Sequence, residues 1–389
     1  MVIRSIREAK IKKGTRVILR ADFDVAIEKG KIIEPFRIRE ALPTLRYLIK
    51  RKARIRIISH LGRPHGKVVP ALSMRGVAKY LGRLLKKNIV FVKNPLYEPV
   101  FQKYNQSEDI LFFENIRFWP EEENNNMSFG GQLAKWGDIY INEAFANSHR
   151  DHVSMSALPG FLLAFAGIGL EKEIFYLDKS IKNPQRPFVA VLGGAKLETK
   201  IPLIKKFLEM GDAVLIGGVI ANTIFLAKGY DLGISLVEKE WVNFFEKTRV
   251  AESKLYLPLD LRAARSPKDD VHIRTTGSIL KNEAAFDIGP RTSKLFNSVI
   301  GRARTIIWNG PLGLAEVAKF SHGTRDMAQS IARQKKAFSV LGGGDTIAVL
   351  RKYKLLKGFG HISTGGGAML EFLAGKKLPG IEVLKRRKR

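Results

Sequence analysis

One pattern repeats along the chain and restricts its fold: a short run of β-branched residues, a glycine-rich corner, then an amphipathic helical stretch. Strands that are apolar throughout and alternate with helices form parallel sheets covered on both faces. In the first half the pattern predicts strands at 17–22, 55–60, 89–92, 110–114 and 139–142, and helices at 38–51 and 74–87. In the second half it predicts strands at 188–192, 213–216, 254–258, 305–308, 338–341 and 361–364. Ligands of such sheets bind beyond the carboxyl ends of the strands.

Chain length and one charged segment indicate two domains. At ~150 residues per domain, 389 residues suggest two or three. Residues 169–187 read GLEKEIFYLDKSIKNPQRP, a charged helical stretch that runs into a turn bracketed by prolines. We therefore predict an α/β protein of two doubly wound parallel-sheet (Rossmann-like) domains joined by a helical hinge. The predicted boundaries are 1–170, 171–187 for the hinge, 188–372, and 373–389 for a C-terminal segment with a basic tail.

The composition excludes several classes of protein. The chain has no cysteine, which argues against a disulfide framework and thiolate metal sites and fits a reducing compartment. Its N-terminus carries charge where a secretory signal needs an apolar run. The longest weakly polar stretch, 157–170, is shorter than the ~18 residues of a membrane span. We therefore expect a soluble cytoplasmic protein without a membrane partner.

The net charge is unusual for such a protein. With 67 Lys and Arg against 37 Asp and Glu it is +30, and residues 1–93 alone hold 25 basic and 6 acidic groups. A surplus of this size normally points to nucleic acid or an acidic membrane. No base-stacking or groove-reading motif accompanies it, so nucleic acid is not the favoured partner, although the charge leaves it open. We interpret part of the surplus as attraction for anionic substrates and the rest as a surface property of the source organism.

Four predicted strands of the second half end in glycine clusters. These are LGGAKLETK (192–200), IGGVIANT (216–223), LGGGDT (341–346) and STGGGAM (363–369). Glycine at a strand-to-helix turn lets backbone amides approach a phosphate, and the next helix adds its positive N-terminal end. One such corner is as often purely structural, but four on one side of a sheet favour phosphate binding. None matches the P-loop or the dinucleotide-binding motif.

Charged residues next to these corners are candidates for chemistry. Lys196 and Lys200 are spaced i, i+4, which predicts one face of the following helix; a solvated face is the simpler alternative. Asp345 and Thr346 open another predicted helix and suit a divalent metal or its water shell beside phosphates. For Asp345 a helix cap is the simpler alternative, and both roles can coexist.

The first half carries arginine and histidine instead. Arg37, His60 and Arg63, Arg117, and the group His149, Arg150 and His152 follow predicted strands or open helices. Arginine forks capture phosphate or carboxylate in a bidentate manner, although any one arginine of a basic surface is usually ordinary. The histidines lack metal-ligand spacing and there is no cysteine, so zinc is rejected.

At these residues the sequence resembles a known family. The blocks are RADFDVAIEKGKIIEPFRIREALPTLRYL, SHLGRPHGK, ENIRFWPEE, INEAFANSHRDH, VLGGAKLETKI, IIWNGPLGLAE, LGGGDT and HISTGGGAMLEFLAGKKLPGIEVL. They resemble the blocks of phosphoglycerate kinase in the family's order and span about residues 16 to 384. The resemblance implies a monomeric glycolytic enzyme that moves a phosphoryl group reversibly between 1,3-bisphosphoglycerate and ADP, giving 3-phosphoglycerate and ATP with Mg²⁺.

The resemblance also implies roles for individual residues, because their positions match the family's motifs. The implied 3-phosphoglycerate residues of the N-terminal domain are Asp22, Asp24, Arg37, His60, Arg63, Arg117 and Arg150. The implied nucleotide residues of the C-terminal domain are Lys196, Lys200, Gly217, Gly218, Asn309, Glu316, Gly343, Gly344, Asp345 and Thr346. Arg37 and Lys196 are expected to be catalytic, and Asp345 to hold Mg²⁺. The family pattern further implies domain closure and a chain end that returns to the N-terminal domain.

Several positions depart from the family pattern. They are Asp24 for Asn, Ala26 for Pro, Glu143 for Asp, Thr199 for an acidic residue, Val219 for Gly and Met369 for Ser. Two alternatives remain open: a nucleic-acid-binding protein on a decayed kinase fold, and a kinase for another acyl phosphate. The joint presence of Arg37, Lys196, Lys200 and Asp345 argues against the first, and the first-half arginines argue against the second.

Overall fold

The computed structural model describes residues 3–247 and 253–386. They form two compact units, one up to Phe175 together with the residues from Lys376 on, the other from Tyr176 to Gly375. The prediction of two α/β units built on parallel sheets is confirmed. The last residues of the predicted basic tail, 387–389, lie outside the described residues.

The first unit is built on a six-stranded parallel sheet. Its strands are β1 (Arg16–Ala21), β2 (Arg54–Ile58), β3 (Ile89–Val92), β4 (Ile110–Phe113), β5 (Ile139–Glu143) and β6 (Leu163–Ala166), in the spatial order β3-β4-β2-β1-β5-β6. β1 lies at the centre, paired with β2 and β5. Val17, Leu19 and Ile57 pack with the apolar faces of the helices in a continuous core.

Helices cover this sheet. They are α1 (Phe36–Glu40), α2 (Leu42–Lys50), α3 (Arg75–Leu85), α4 (Glu98–Tyr104), α5 (Pro120–Glu123), α6 (Met127–Ala134), α7 (Ala157–Gly160) and the first part of α8 (Ile168–Ile181). The helical pattern predicted at 38–51 is confirmed except for its continuity. The helix is interrupted at Ala41 and restarts with Pro43 in its first turn, where proline is tolerated. β6 was not predicted, since LAFA has only one residue with strong β preference.

The second unit holds another six-stranded parallel sheet. Its strands are β7 (Phe188–Leu192), β8 (Ala213–Ile216), β9 (Leu255–Tyr256), β13 (Thr305–Asn309), β14 (Phe338–Gly342) and β15 (His361–Ile362), ordered β9-β8-β7-β13-β14-β15. An antiparallel sheet of β10 (Asp260–Ala264), β11 (His272–Thr275) and β12 (Ala284–Ile288), ordered β11-β10-β12, was not predicted. The helices are α9 (Leu197–Met210), α10 (Gly218–Ala227), α11 (Val242–Lys247), α12 (Pro290–Ile300), α13 (His322–Arg333), α14 (Gly344–Lys352) and α15 (Gly367–Leu373).

The C-terminal segment belongs to the first unit. It contains α16 (Pro379–Glu382), where the amide of Gly380 donates to Ser148 O at 2.9 Å and its carbonyl accepts from Asn142 Nδ2 at 2.8 Å. Ile3 forms a bridge with Lys385, so both ends of the described chain lie together. Within the described residues no helix combines the length and apolarity needed to cross a membrane.

Candidate active site

The glycine corners of the second unit surround one cavity of about 450 Å³. Gly194, Gly218, Gly343 and Gly366 line it, one from each of the four corners. Each corner follows the carboxyl end of a parallel strand, and these ends share one edge of the sheet. The structure therefore brings together the corners that the sequence suggested for phosphate, although the amides of Gly194 and Gly218 already donate to Pro311 O at 2.7 Å and to Leu312 O at 3.0 Å.

Close backbone packing explains why glycine is required after two neighbouring strands, at Gly193 and at Gly310. A Cβ on Gly193 would lie 2.1 Å from Pro311 O, and one on Gly310 would lie 2.0 Å from Gly193 O. Gly217, expected at the nucleotide, is not among the cavity-lining residues, and a Cβ there would lie 2.7 Å from Leu312 Cδ2. Its role in this structure is packing between two corners.

Lys196 and Lys200 both line the cavity, but not as one helix face. That prediction was wrong, because Lys196 is the N-cap of α9 with φ +65°, outside the regular helix. Lys196 is exposed, whereas Lys200 is buried and donates through Nζ to Ala195 O. Burial lowers the pKa of Lys200 to about 8, and Glu238 and Asp345 oppose the shift.

Glu238 is a neighbour that the sequence did not reveal. Its carboxylate accepts from the backbone amides of Lys196 at 2.5 Å and Leu197 at 2.8 Å. Its own amide donates to Thr223 Oγ1 at 3.0 Å. An internal anion thus occupies the N-terminus of α9, the position that a phosphate would favour.

The opposite wall of the cavity presents Asn309, Glu316, Asp345 and Thr346. Thr346 is buried and its Oγ1 accepts from Gly310 N at 3.1 Å, so its hydroxyl supports a corner. Asn309 Nδ2 is buried and has no hydrogen-bond partner among the described residues, so a donor is left for an anionic ligand. Gly344 begins α14, and Asp345 is exposed in its first turn.

Asp345 fits a magnesium ion carried by a nucleotide. The described residues contain no cluster of three or more His, Cys, Asp or Glu side chains able to hold a metal by themselves. Mg²⁺ in phosphate-transfer sites is commonly held by one or two carboxylates together with substrate phosphates and water. An exposed carboxylate among glycine amides and lysines provides the protein's share of that ligand set.

An apolar wall completes the cavity. Val219 and Leu236 meet Leu261, Ala285 and Phe286, the last three from β10 and β12 of the antiparallel sheet. Such a surface suits the flat apolar face of a nucleobase. Apart from Val219, none of these residues belongs to a motif that the sequence analysis recognised. The antiparallel sheet that holds three of them was also not predicted.

A second polar cluster lies in the first unit, beyond the carboxyl ends of β1 and β2. Arg37 Nη1 forms an ion pair with Asp22 Oδ2 at 3.0 Å, and Asp22 raises the pKa of Arg37. Asp24 Oδ1 accepts from Gly62 N at 2.9 Å. Arg117 Nη1 donates to Gly62 O at 2.9 Å, so loops after both strands are tied together.

His60 is buried beside this cluster and is uncharged. Its Nδ1 lies 3.2 Å from Arg20 Nη2. Because a guanidinium only donates, Nδ1 is the acceptor, and Nε2 carries the proton at 3.8 Å from Asp24 Oδ2. Burial, reinforced by Arg20, Arg117 and Arg37, holds the pKa of His60 well below its usual range.

Arg20 was not among the predicted site residues. It is 1% exposed, and its Nε donates to Ser154 Oγ at 2.8 Å. Ser154 in turn donates to the buried Glu122 at 2.6 Å, whose pKa is raised by burial. A charged residue inside an otherwise apolar strand was the available signal in the sequence. His152 lies 3.9 Å from Glu122, and burial lowers its pKa to about 4.

Arg63 and Arg150, the remaining predicted residues of this site, differ from the others in their exposure and in their lack of side-chain partners within the described part of the chain. Both are exposed, and neither guanidinium forms an ion pair or hydrogen bond with any described residue. Arg117, by contrast, is buried and lies 3.6 Å from Glu123. The cluster therefore combines fixed cations with two that are available to an anion.

The two units define a phosphotransferase: an amide-rich cavity with lysines in one and an arginine cluster in the other. Comparison with known proteins gives the family. The family model described as phosphoglycerate kinase matches residues 6–376. The phosphoglycerate kinases of Coprothermobacter proteolyticus and Pelotomaculum thermopropionicum are 42% and 41% identical to the chain, each over 99% of both sequences. The chain belongs to the phosphoglycerate kinase family.

Solved structures agree. Phosphoglycerate kinase from Coxiella burnetii has a TM-score of 0.87 at 37% identity, covering 98% of this chain and 99% of its own. The enzyme from Pyrococcus horikoshii has a TM-score of 0.86 at 32% identity, with 98% of both chains covered. As a family member the chain catalyses the reversible, Mg²⁺-dependent transfer of a phosphoryl group between 1,3-bisphosphoglycerate and ADP, giving 3-phosphoglycerate and ATP. Family members are typically monomeric.

Proposed function

We propose that the two substrates bind to separate domains of this chain: the nucleotide in the cavity of domain 188–372 and 3-phosphoglycerate at the arginine cluster of domain 1–170. Residues 171–187 connect them, and the described part of the C-terminal segment 373–389 returns to the first domain. The observation that carries the nucleotide assignment is the buried Nδ2 of Asn309, which has no partner among the described residues and lies in a cavity lined by glycine corners. The proposed nucleotide set is Lys196, Lys200, Gly217, Gly218, Asn309, Glu316, Gly343, Gly344, Asp345 and Thr346.

In the nucleotide site, each polar group has a distinct part. Lys200 neutralises phosphate oxygens, the amide of Gly343 binds them, and Asn309 donates one hydrogen bond. The amide of Gly218 already donates to Leu312 O at 3.0 Å, so Gly218 serves the close packing of its corner. Asp345 would hold the magnesium ion of the nucleotide, either directly or through a water molecule. Bound Mg²⁺ supplies further neutralisation of phosphate charge. Gly217 contributes by keeping its corner closely packed.

In the 3-phosphoglycerate site, the free guanidinium groups of Arg63 and Arg150 bind the phosphate. His60 donates from Nε2, and Arg37 and Arg117 orient the carboxyl end, with Arg37 held by Asp22. Asp24 fixes the loop at Gly62. The site contains no nucleophile and base pair, and the reaction needs none, because the acceptor carboxylate is ionised at neutral pH.

Transfer itself requires charge stabilisation. We assign this part to Arg37 and Lys196, whose cationic groups offset the charge on the transferring oxygens. Lys196 suits this role because it is the exposed N-cap of α9 and so lies just outside the regular helix. Lys196→Ala should lower kcat by 10²-fold or more, the order found when a single stabilising donor is removed.

Calorimetric titration with each substrate alone tests the assignment. Arg63→Ala with Arg150→Ala should weaken 3-phosphoglycerate binding by at least tenfold and leave MgADP binding unchanged. Asn309→Leu should do the reverse. Arg302→Ala, an exposed arginine outside both sites, is the matched control and should change neither. Loss of both ligands in either variant would contradict separate sites.

We also propose a cytoplasmic location. It is supported by the absence of cysteine and by a co-substrate, ATP, that is generated and used inside cells. Fractionation of source cells, followed by immunodetection, tests this; recovery with the membrane pellet at high salt would contradict it.

A further inference from the structure

A strongly basic surface lies in the first unit at the sheet edge opposite the arginine cluster. The segments 10–16 (KIKKGTR) and 50–56 (KRKARIR) contain nine cations and no acid. They enter the amino ends of β1 and β2, whereas Asp22 and His60 follow the carboxyl ends of these strands. Because β1 has 6 residues, each rising ~3.3 Å, about 20 Å separates the two surfaces.

Backbone hydrogen bonds place the two segments side by side. Gly14 N donates to Lys52 O at 3.0 Å, and Arg54 N donates to Thr15 O at 2.9 Å. These bonds extend the parallel pairing of the two strands beyond their ends. We call the exposed cations of this surface the basic edge; they are Lys12, Lys13, Lys50, Arg51 and Lys52.

The charges of the basic edge are not neutralised locally. Within residues 3–247 and 253–386, no carboxylate forms an ion pair with any of its four lysines. Asp138, at the same end of the sheet, is already paired with Arg16, with 2.6 Å between Oδ1 and Nη2. The guanidinium of Arg51 lies 3.7 Å from the centre of the Tyr47 ring. The surface therefore presents its full positive charge to solvent.

Helix stabilisation explains only part of this arrangement. Lys50 ends α2 and Arg51 follows it, and cations at a helix C-terminus interact favourably with the helix dipole. Lys12 and Lys13 lie in a loop outside α2. A second reason is needed for cations on both adjoining segments.

We propose that the basic edge binds the phosphodiester backbone of nucleic acid without reading its sequence. Lysine and arginine bind such a backbone by displacing its condensed counterions. The large exposed apolar side chains of the described residues all lie outside 10–16 and 50–56. The edge thus offers no fully exposed ring for base stacking, since Tyr47 is half-buried and covered by Arg51, and no apolar wedge for a bilayer, which favours contact with the charged backbone.

Fluorescence anisotropy with labelled single-stranded RNA and duplex DNA of ~30 nucleotides tests the proposal, at salt concentrations from about 50 to 200 mM. Five contacts to a single strand predict a slope of log K against log salt of about −3.5. The variant K12Q/K13Q/K50Q/K52Q should reduce that slope by about 3 and weaken binding at least tenfold. Binding of either nucleic acid in this manner supports the proposal.

The matched control removes four exposed lysines of the second unit: K294Q/K335Q/K336Q/K357Q. It should bind nucleic acid like the parent protein, and kinase activity of both variants should equal that of the parent, which shows that they fold. Equal loss of binding in the two variants would mean that net charge, not the basic edge, is responsible, and would overturn the proposal. So would binding to phosphatidylserine vesicles without binding to nucleic acid, or no binding at ~0.15 M salt.

Discussion

Arg20 donates from Nη2 to Nδ1 of His60 across 3.2 Å, and both side chains are almost fully buried. This contact decides which imidazole nitrogen carries the proton, so it controls what the histidine offers to a substrate. Ser154 and Glu122 hold the arginine from its other side. His60, which we propose as a substrate ligand, thus depends on Arg20, Ser154 and Glu122 for its orientation.

Arg20→Lys should therefore impair 3-phosphoglycerate binding. A lysine loses the planar fork that contacts Ser154 and His60 together, so we expect KM for 3-phosphoglycerate to rise about tenfold, ~1.4 kcal/mol, with KM for MgATP unchanged. Histidine NMR should also detect a mixed tautomer in place of a single one. An altered KM with an unchanged His60 tautomer would contradict this reasoning.

Asp24→Asn should lower KM for 3-phosphoglycerate. The asparagine keeps an oxygen for the amide of Gly62 but removes a negative charge from an anion-binding site. Two unit charges 4 Å apart repel by ~1 kcal/mol in water and ~4 kcal/mol at an effective dielectric of 20. We expect a decrease of about fivefold at constant KM for MgATP, measured by coupled assay. An unchanged or higher value would refute the prediction.

Glu238→Gln should have two effects of opposite sign. It weakens the cap on α9, which should cost about 1 kcal/mol in the free energy of unfolding, measured by urea denaturation. It also removes the anion that competes with phosphate at the helix N-terminus, so calorimetry should show tighter MgADP binding by severalfold. Glu240→Gln, an exposed neighbour, should change neither quantity. Weaker nucleotide binding in E238Q would show that Glu238 supports the site instead of competing for it.

Because of the buried carboxyl of Glu143, the free energy of unfolding should decrease as pH rises. It accepts from Thr44 Oγ1 and Gly169 N, both at 2.8 Å, and burial raises its pKa to about 8. A carboxyl with a raised pKa binds its proton more tightly in the folded state than in the unfolded state. Its contribution is therefore complete below pH ~4.5 and is lost as pH rises through 8, by up to about 1.4 kcal/mol per pH unit.

Glu143→Gln provides the test for this effect. The variant cannot ionise, so its free energy of unfolding, followed by urea denaturation from pH 5 to about 8, should decline less steeply than that of the parent protein. Glu171→Gln, which changes an acid nearby in α8, serves as the comparison. Identical pH dependence in parent and E143Q would exclude Glu143 as the cause.

The sequence was informative wherever local pattern determines structure. Strands such as Phe188–Leu192 and Ala213–Ile216 are visible because apolar β-branched runs end at glycine pairs. The corners were also assigned correctly to one side of the sheet, since parallel strands place their carboxyl ends together. Site residues next to those corners were therefore within reach.

Contacts between distant segments could not be predicted, because the sequence analysis used only local patterns. Glu238 lies 42 residues from Lys196, and no spacing rule connects a loop carboxylate to that amide. The apolar wall of Leu261 and Phe286 depends on an antiparallel sheet whose strands are short and partly polar. Lys196 itself was misplaced, because i, i+4 spacing implies a shared face only when both residues are inside the helix.

The contact between Gly193 and Gly310 has a consequence for how this enzyme can change. Every missense substitution of a glycine introduces a Cβ, and at these two positions that atom would meet a backbone oxygen at 2.1 or 2.0 Å. Both oxygens belong to the backbone, so neither can rotate aside as a side chain would. Neither glycine can therefore be replaced while the backbone that follows the neighbouring strand stays in place. Substitution is thus excluded at Gly193 and at Gly310, which lines the cavity, whereas Val219 in the same lining already departs from the glycine of the family pattern.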